Sequence, residues 1–167
     1  MNQAPQVAGE TITVRPMCAT DAGLEAEFVR KLSSRSRHYR FLGEIKELSP
    51  KELERLCDVD GYRSMAFIAT VRENGRETGI GVSRYAPGAA GDAREMAVTV
   101  ADSWQNKGLG TRLAERLIEH AREQGVRELY SMDLADNLEM QHLARDLGMT
   151  MKRDPDDAHQ VIYSLAL

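Results

Sequence analysis

The stretch Gln105-Asn106-Lys107-Gly108-Leu109-Gly110-Thr111 gathers the residue types that grip an anion. Gly108 and Gly110 fall where a helix begins, and a residue without Cβ lets another group approach main-chain N–H donors that have no intrahelical partner. A helix start of this kind is a ready phosphate site. Lys107 adds positive charge, and Gln105 and Asn106 add neutral donors, at the same turn. A phosphate or pyrophosphate suits this convergence, although by themselves the residues also suit a tight strand-to-helix turn with no ligand. The spacing is not that of a dinucleotide fingerprint, because the residue three after Gly110 is Leu113, and no Gly-Lys-Ser/Thr phosphate loop is present.

The elements that must hold this turn are legible on either side of it. Ala97 to Val100 is β-branched and short, as a strand entering the turn would be. Leu109, Leu113, Ala114, Leu117, Ile118 and Ala121 form one apolar stripe of a helix over Gly108 to Gln124, closed by Gly125 as a left-handed cap. Arg112 and Arg116, like charges four apart on that helix, are expected in solvent rather than against an anionic ligand end, which is the alternative.

With 167 residues, 42% of them hydrophobic and 29% charged, the chain is long enough for one domain with its own core. Residues 1 to 10 are expected to be a flexible tail and residues 11 to 167 a single domain. A net charge of −4 gives no electrostatic case for nucleic acid. No apolar run approaches the roughly 18 residues of a membrane span, and no signal peptide is apparent, so cytoplasmic residence is the default expectation. Cys18 and Cys57 lack metal-ligand spacing, so no metal site is expected, and Cys57 ends an apolar helical face as a buried small hydrophobe. His38, His120, His142 and His159 are dispersed, with no catalytic spacing.

Thr11 to Arg15 alternates as a strand, and Thr20 or Asp21 can cap a helix with Leu24, Phe28 and Leu32 on one face. Ser33 to Arg37 is either a solvated loop or a rim of the substrate or cofactor site. Ser49 and Glu52 form a capping box around Pro50, with Leu48 and Leu53 as a hydrophobic staple. Met65 to Val71 and Thr78 to Tyr85 flank Asn74-Gly75, the pattern of an antiparallel hairpin. Glu95 to Val100 is the next strand and Leu129 to Leu134 another. Asp136 and Glu139 pattern as a second capping box, opening a helix with Met140, Leu143, Ala144 and Leu147 inside and Gly148 at its end. A short strand near Met149 and a last strand, Gln160 to Leu165, complete an α+β layer around a mixed sheet, unlike a doubly wound nucleotide fold.

Gln105-x-x-Gly108-x-Gly110 resembles the pyrophosphate motif of the GNAT acetyltransferases, and the element order resembles their fold over residues 10 to 167. Asn137, three residues before Met140 and eleven before Gly148, resembles the family's second motif. The resemblance implies a mixed, mostly antiparallel sheet flanked by helices, and acetyl-CoA as the cofactor. Its pyrophosphate would lie on Gln105, Asn106, Lys107, Gly108, Leu109, Gly110 and Thr111, its pantetheine on Val98 and Val100, with Asn137 and Met140 alongside. Ser33 to Leu42 followed by Leu48 to Leu53 resembles the acetyltransferase domain of bacterial protein-lysine acetyltransferases. That likeness implies transfer to a primary amine, first of all a protein lysine, with Glu95 as general base. A polyamine, aminoglycoside or amino acid as acceptor, or a non-catalytic coenzyme A-binding module, are the alternatives. Many relatives carry a tyrosine seven residues after the motif asparagine as general acid; here that position is Ala144. Oligomeric state is left open, a homodimer included.

Overall fold

A computed structural model describes residues 6–7, 10–43, 45–89 and 91–167. Within the expected tail, β1 (Gln6–Val7) and β2 (Glu10–Thr11) pair as a two-stranded antiparallel ribbon, while residues 1–5 and 8–9 lie outside the described residues. The main sheet holds seven strands in the order β3-β4-β5-β6-β7-β9-β8. They are β3 (Thr13–Pro16), β4 (Met65–Glu73), β5 (Arg76–Pro87), β6 (Arg94–Val100), β7 (Glu128–Leu134), β8 (Thr150–Arg153) and β9 (Gln160–Ala166). All neighbours are antiparallel except β6 and β7, so the sheet is mixed and mostly antiparallel, as the GNAT resemblance implies.

Strand alternation builds a core on each face of this sheet. Met65, Phe67, Ala69 and Val71 of β4 face one side and Ala66 and Ile68 the other, all nearly inaccessible to water. On the first side lies α4 (Leu109–Glu123), whose stripe Leu113, Ala114, Leu117, Ile118 and Ala121 is buried as its period demands. On the second lie α1 (Ala22–Lys31) and α3 (Pro50–Cys57), through Phe28, Val29 and Cys57. The β4–β5 hairpin closes at Asn74 (φ 53°) and Gly75 (φ 76°), with Glu73 paired to Arg76, as expected of a two-residue Asn-Gly turn.

Caps divide into those that local sequence decides and those that tertiary contacts redirect. Ser49 Oγ accepts from Glu52 N–H at 3.2 Å and Glu52 Oε2 accepts from Ser49 N–H at 2.8 Å, so the expected capping box forms. Asp21 stands at the start of α1 without capping it, because Arg15 donates two 2.8 Å hydrogen bonds to its carboxylate and Cys18 N–H a third. Arg84 of β5 is buried, meets Glu25 of α1 at 3.0 Å and donates to Leu56 O of α3 at 2.8 Å, which ties both helices to the sheet.

The largest departure from the sequence reading is a helix, α2 (Ser34–Phe41), where a loop or rim was expected. Ser33 Oγ caps it by accepting from Ser36 N–H at 3.1 Å. Asp102, on the turn after β6, then accepts from Ser33 N–H, Ser33 Oγ and Ser36 Oγ at 3.0, 2.7 and 3.0 Å. Asp102 is exposed; desolvation by its neighbours opposes ionisation, but the donors on Ser33 and Ser36 win and hold its carboxyl below the usual range.

Candidate active site

β6 and β7 share two parallel pairs, Arg94 with Leu129 and Glu95 with Tyr130, and beyond them the strands part. The split opens a cavity of about 550 Å³ walled by β6, β7, α2, the start of α4 and α5 (Leu138–Asp146). Ala101 N–H donates to Ile80 O at 2.8 Å. By strand alternation the main-chain groups of Ala97 and Thr99 therefore face β5, and those of Val98 and Val100 face the gap. Val100 O accepts there from Gln105 Nε2 at 3.0 Å, and the same amide reaches Ser36 Oγ of α2 at 3.3 Å.

The turn after β6 ends in two left-handed residues, Asn106 (φ 59°) and Gly108 (φ 81°). Asparagine tolerates this region and glycine is at home in it. Gly108 occupies the N-cap of α4 with no side chain bonded to the first amides, so the leading N–H groups of the helix have no acceptor within it. A Cβ added to Gly108 would stand in open space. This donor set fits a pyrophosphate.

Among the sequence candidates, Glu95, Val98, Val100, Gln105 and Asn106 line the cavity, as do Gly108, Gly110, Thr111, Asn137 and Met140. Lys107 and Leu109 do not. Lys107 Nζ donates to Ser103 O at 3.0 Å and lies 5.2 Å from the Trp104 ring centre, and Leu109 is buried in the core with the rest of its stripe. Asn137 Oδ1 accepts from Met140 N–H at 3.2 Å and caps α5, so the expected Asp136–Glu139 box does not form. The physical reason is register: α5 begins at Leu138, which leaves Asp136 one residue too early to cap it.

α2 contributes Arg35 and Ser36, within the segment read as a loop or a rim of the site, and also Tyr39 and Arg40, which escaped the sequence reading. Arg40 is half-buried, and burial beside Arg84 lowers its guanidinium to about 10, which still leaves a cation at neutral pH. Across the gap on β7, Asp133 accepts from Ser131 Oγ at 2.6 Å. Its burial pushes the carboxyl up to about 6 against the pull of Ser131 and Arg40, with Glu95 pushing it further up. No motif marks Asp133, because nothing in a single strand tells where its neighbour departs from it.

The remaining singled-out residues lie elsewhere. His120 Nε2 is 2.8 Å from Gly61 O, and its ring packs against Phe67 and Tyr85, a structural role. Cys57 is buried, as expected, and burial raises its thiol to about 11. Arg116 lies over the Phe67 ring at 4.6 Å, and Arg112 keeps Nη1 enclosed without a partner among the described residues, so neither is simply solvated. Among the described residues no helix is long and apolar enough to cross a membrane.

A split parallel pair, an uncapped helix start and a carboxylate at the fork thus meet in one cavity of an α+β fold with a mixed sheet. The profile of the acetyltransferase (GNAT) family matches residues 28–149. Acetyltransferase PA5475 of Pseudomonas aeruginosa is 46% identical over 159 residues, covering 95% of this chain and 86% of that protein. The GNAT domain of S. lividans PAT superposes with a TM-score of 0.84 at 29% identity, over 95% of this chain and 92% of that one. YncA of Salmonella typhimurium, solved with its cofactor acetyl-CoA, has the same fold with a TM-score of 0.74 at 20% identity, over 93% and 94% of the two chains. The chain belongs to the GNAT family and is an acetyl-CoA-dependent acetyltransferase.

A side chain at position 108 tests the donor set. Gly108→Val forces a β-branched residue to φ 81°, at a backbone cost of about 1–2 kcal/mol. It also disturbs the amides that begin α4. Calorimetry should show the Kd for acetyl-CoA rising by about tenfold, or about 1.4 kcal/mol. Wild-type affinity in that variant would place the pyrophosphate elsewhere.

Proposed function

We propose that this acetyltransferase acts on a primary amine, first of all the side chain of a protein lysine, by direct attack with Glu95 as general base. The observation that carries the reading is the position of Glu95 at the fork of β6 and β7, at one end of a gap whose other end holds the uncapped amides of α4.

Acetyl-CoA supplies an activated thioester carbonyl. The uncapped amides of α4 between Gly108 and Thr111 would hold its pyrophosphate. The main-chain groups of Val98 and Val100 would hold the arm that follows, and the Val98 N–H is available to the carbonyl oxygen as negative charge develops there. Asn137 keeps its side-chain NH2 free of hydrogen bonds among the described residues, while its oxygen caps α5. A lysine amine has a solution pKa of about 10.4 and is almost wholly protonated at neutral pH. Glu95 takes that proton, directly or through water, so that the neutral nitrogen can attack.

One observation favours a second acceptor class. Arg40 forms no ion pair among the described residues, yet it lines the cavity that holds Glu95. A cation at that place suits a small amine that also bears a carboxylate, such as an amino acid. Incubation with radiolabelled acetyl-CoA against whole proteins, polyamines, aminoglycosides and free amino acids separates the two. Labelled protein supports the lysine reading, whereas label confined to a small amine rejects it.

A further inference from the structure

Acetyl transfer by direct attack, the reading on which this inference rests, moves protons at both ends: one leaves the amine and one returns to the sulphur of coenzyme A. The helix position where relatives carry a tyrosine is Ala144, packed with Met140, Val161 and Tyr163 beneath α5. An alanine brings no proton to the cavity. The strand below brings a carboxyl.

Counting on from the last parallel pair, Glu95 beside Tyr130, sets Asp133 level with Val98, whose main-chain groups face the gap. Cross-strand partners share a face of a sheet. Asp133 is paired with Val161 of β9, and Ser131 with Tyr163. Both of those β9 side chains belong to one buried cluster with Met140 and Ala144 of α5. Asp133 therefore stands on the face of the sheet that α5 covers, and it lines the gap from there. Ser131 Oγ engages Oδ2 at 2.6 Å, and no other hydrogen bond engages the carboxyl among the described residues. Asp133 lines the same cavity as Glu95, from the opposite strand.

We propose that Asp133 is the general acid of this enzyme, giving its carboxyl proton to the coenzyme A sulphur as the carbon–sulphur bond breaks. Glu95 passes the ammonium proton on to solvent before attack, and the neutral nitrogen then forms the new bond to the acetyl carbon and loses a second proton to Glu95. The electron pair of the broken bond leaves on sulphur, which takes the proton of Asp133. The products are the amide, the free thiol, a protonated Glu95 and an ionised Asp133, and exchange with solvent resets both carboxyls.

The surroundings suit that role. Ser131 on its own strand and Arg40 from α2 favour the ionised carboxyl, while burial and Glu95 of β6 favour the protonated one, and the balance lies near 6. The Tyr163 hydroxyl of β9 is buried without a partner among the described residues, and His142 and Asp146 of α5 line the cavity of Glu95 and Asp133. A carboxyl held above its usual range keeps a proton to give nearer neutral pH, and transfer to an alkyl thiolate, whose conjugate acid has a pKa of about 8.5, is downhill.

The test compares Asp133→Asn with wild type on acetyl thioesters of alkyl and of acidic aryl thiols, acetyl-CoA included. With acetyl-CoA the variant should lose about 10²-fold in kcat. With an aryl thiol, which departs without protonation, the deficit should shrink to about threefold or less, and Asp133→Glu should recover part of the rate on acetyl-CoA. A second readout needs no turnover. In wild-type enzyme with ¹³C-labelled aspartate carboxyls, the resonance absent from Asp133→Asn should move on adding coenzyme A and not on adding its desulfo analogue. Equal losses with alkyl and aryl thioesters, or the same movement with both ligands, would overturn the proposal. The same series on Glu95→Gln keeps the two assignments apart. Normal turnover there with a leaving-group-dependent loss in Asp133→Asn removes Glu95 and leaves Asp133 standing.

Discussion

Replacing Glu95 with glutamine should lower kcat for amine acetylation by about 10² to 10⁴ while leaving the Kd for acetyl-CoA within about twofold. Glutamine keeps the size and hydrogen-bonding reach of glutamate but cannot hold the proton of an ammonium. Nothing that grips the cofactor is touched, because the uncapped amides of α4 begin at the far end of the gap. Steady-state kinetics on the best acceptor from the panel, paired with calorimetry, reads both quantities. A fall in affinity matching the fall in kcat would mean that Glu95 shapes the site rather than serves as its base, and unchanged turnover would reject the assignment altogether.

Removing Arg84 should have the largest effect on stability. Glu25 and Arg84 are 4% and 9% exposed, and Glu25 has no other cation within ion-pair distance among the described residues. Arg84→Leu leaves a buried carboxylate uncompensated, which costs about 3–5 kcal/mol. It also removes the hydrogen bond to Leu56 O that fastens α3. At this chain length each kcal/mol lowers Tm by about 2–4 °C, so a fall on the order of 10 °C is expected. The double replacement of Arg84 and Glu25 by leucine should recover most of the loss, because no buried charge is then left unpaired. Urea unfolding of the two single variants and the double closes the cycle. A single-variant loss below about 1 kcal/mol would mean that water reaches Glu25 once Arg84 is gone.

The site depends on this scaffold in a specific way. α1 and α3 are held to the sheet by Arg84, and the chain leaves α1 directly into α2, which carries Arg40 and Tyr39 to the cavity. Asp102 fastens the other end of the arrangement by joining the start of α2 to the turn that leads into Gln105. The α2 wall of the cavity and the turn into α4 are thus linked through Asp102 and through the 3.3 Å contact of Gln105 Nε2 with Ser36 Oγ.

Where the physics is local, the sequence by itself determined most of the outcome, the Asp136–Glu139 box being an exception. The hairpin at Asn74-Gly75, the capping box at Ser49 and Glu52, the buried stripe of α4 and the uncapped glycine start at Gly108 each depend on residues a few positions apart. Dihedral preference, capping and helical period act within that range, and so the fold and the cofactor turn were legible. Contacts between distant residues decided the rest. α2 has few apolar residues and is secured by Asp102, 66 to 69 positions away, so its helix was invisible to periodicity. Asp21 gave up its helix cap to an arginine on β3. The pairing of β6 with β7 ends after Glu95 and Tyr130, and only that divergence exposes Val98 and sets Asp133 across from it. A strand's own sequence states which residues alternate, but where two strands separate is settled by everything packed around them, and in this protein that separation opens the cavity shared by Glu95 and Asp133.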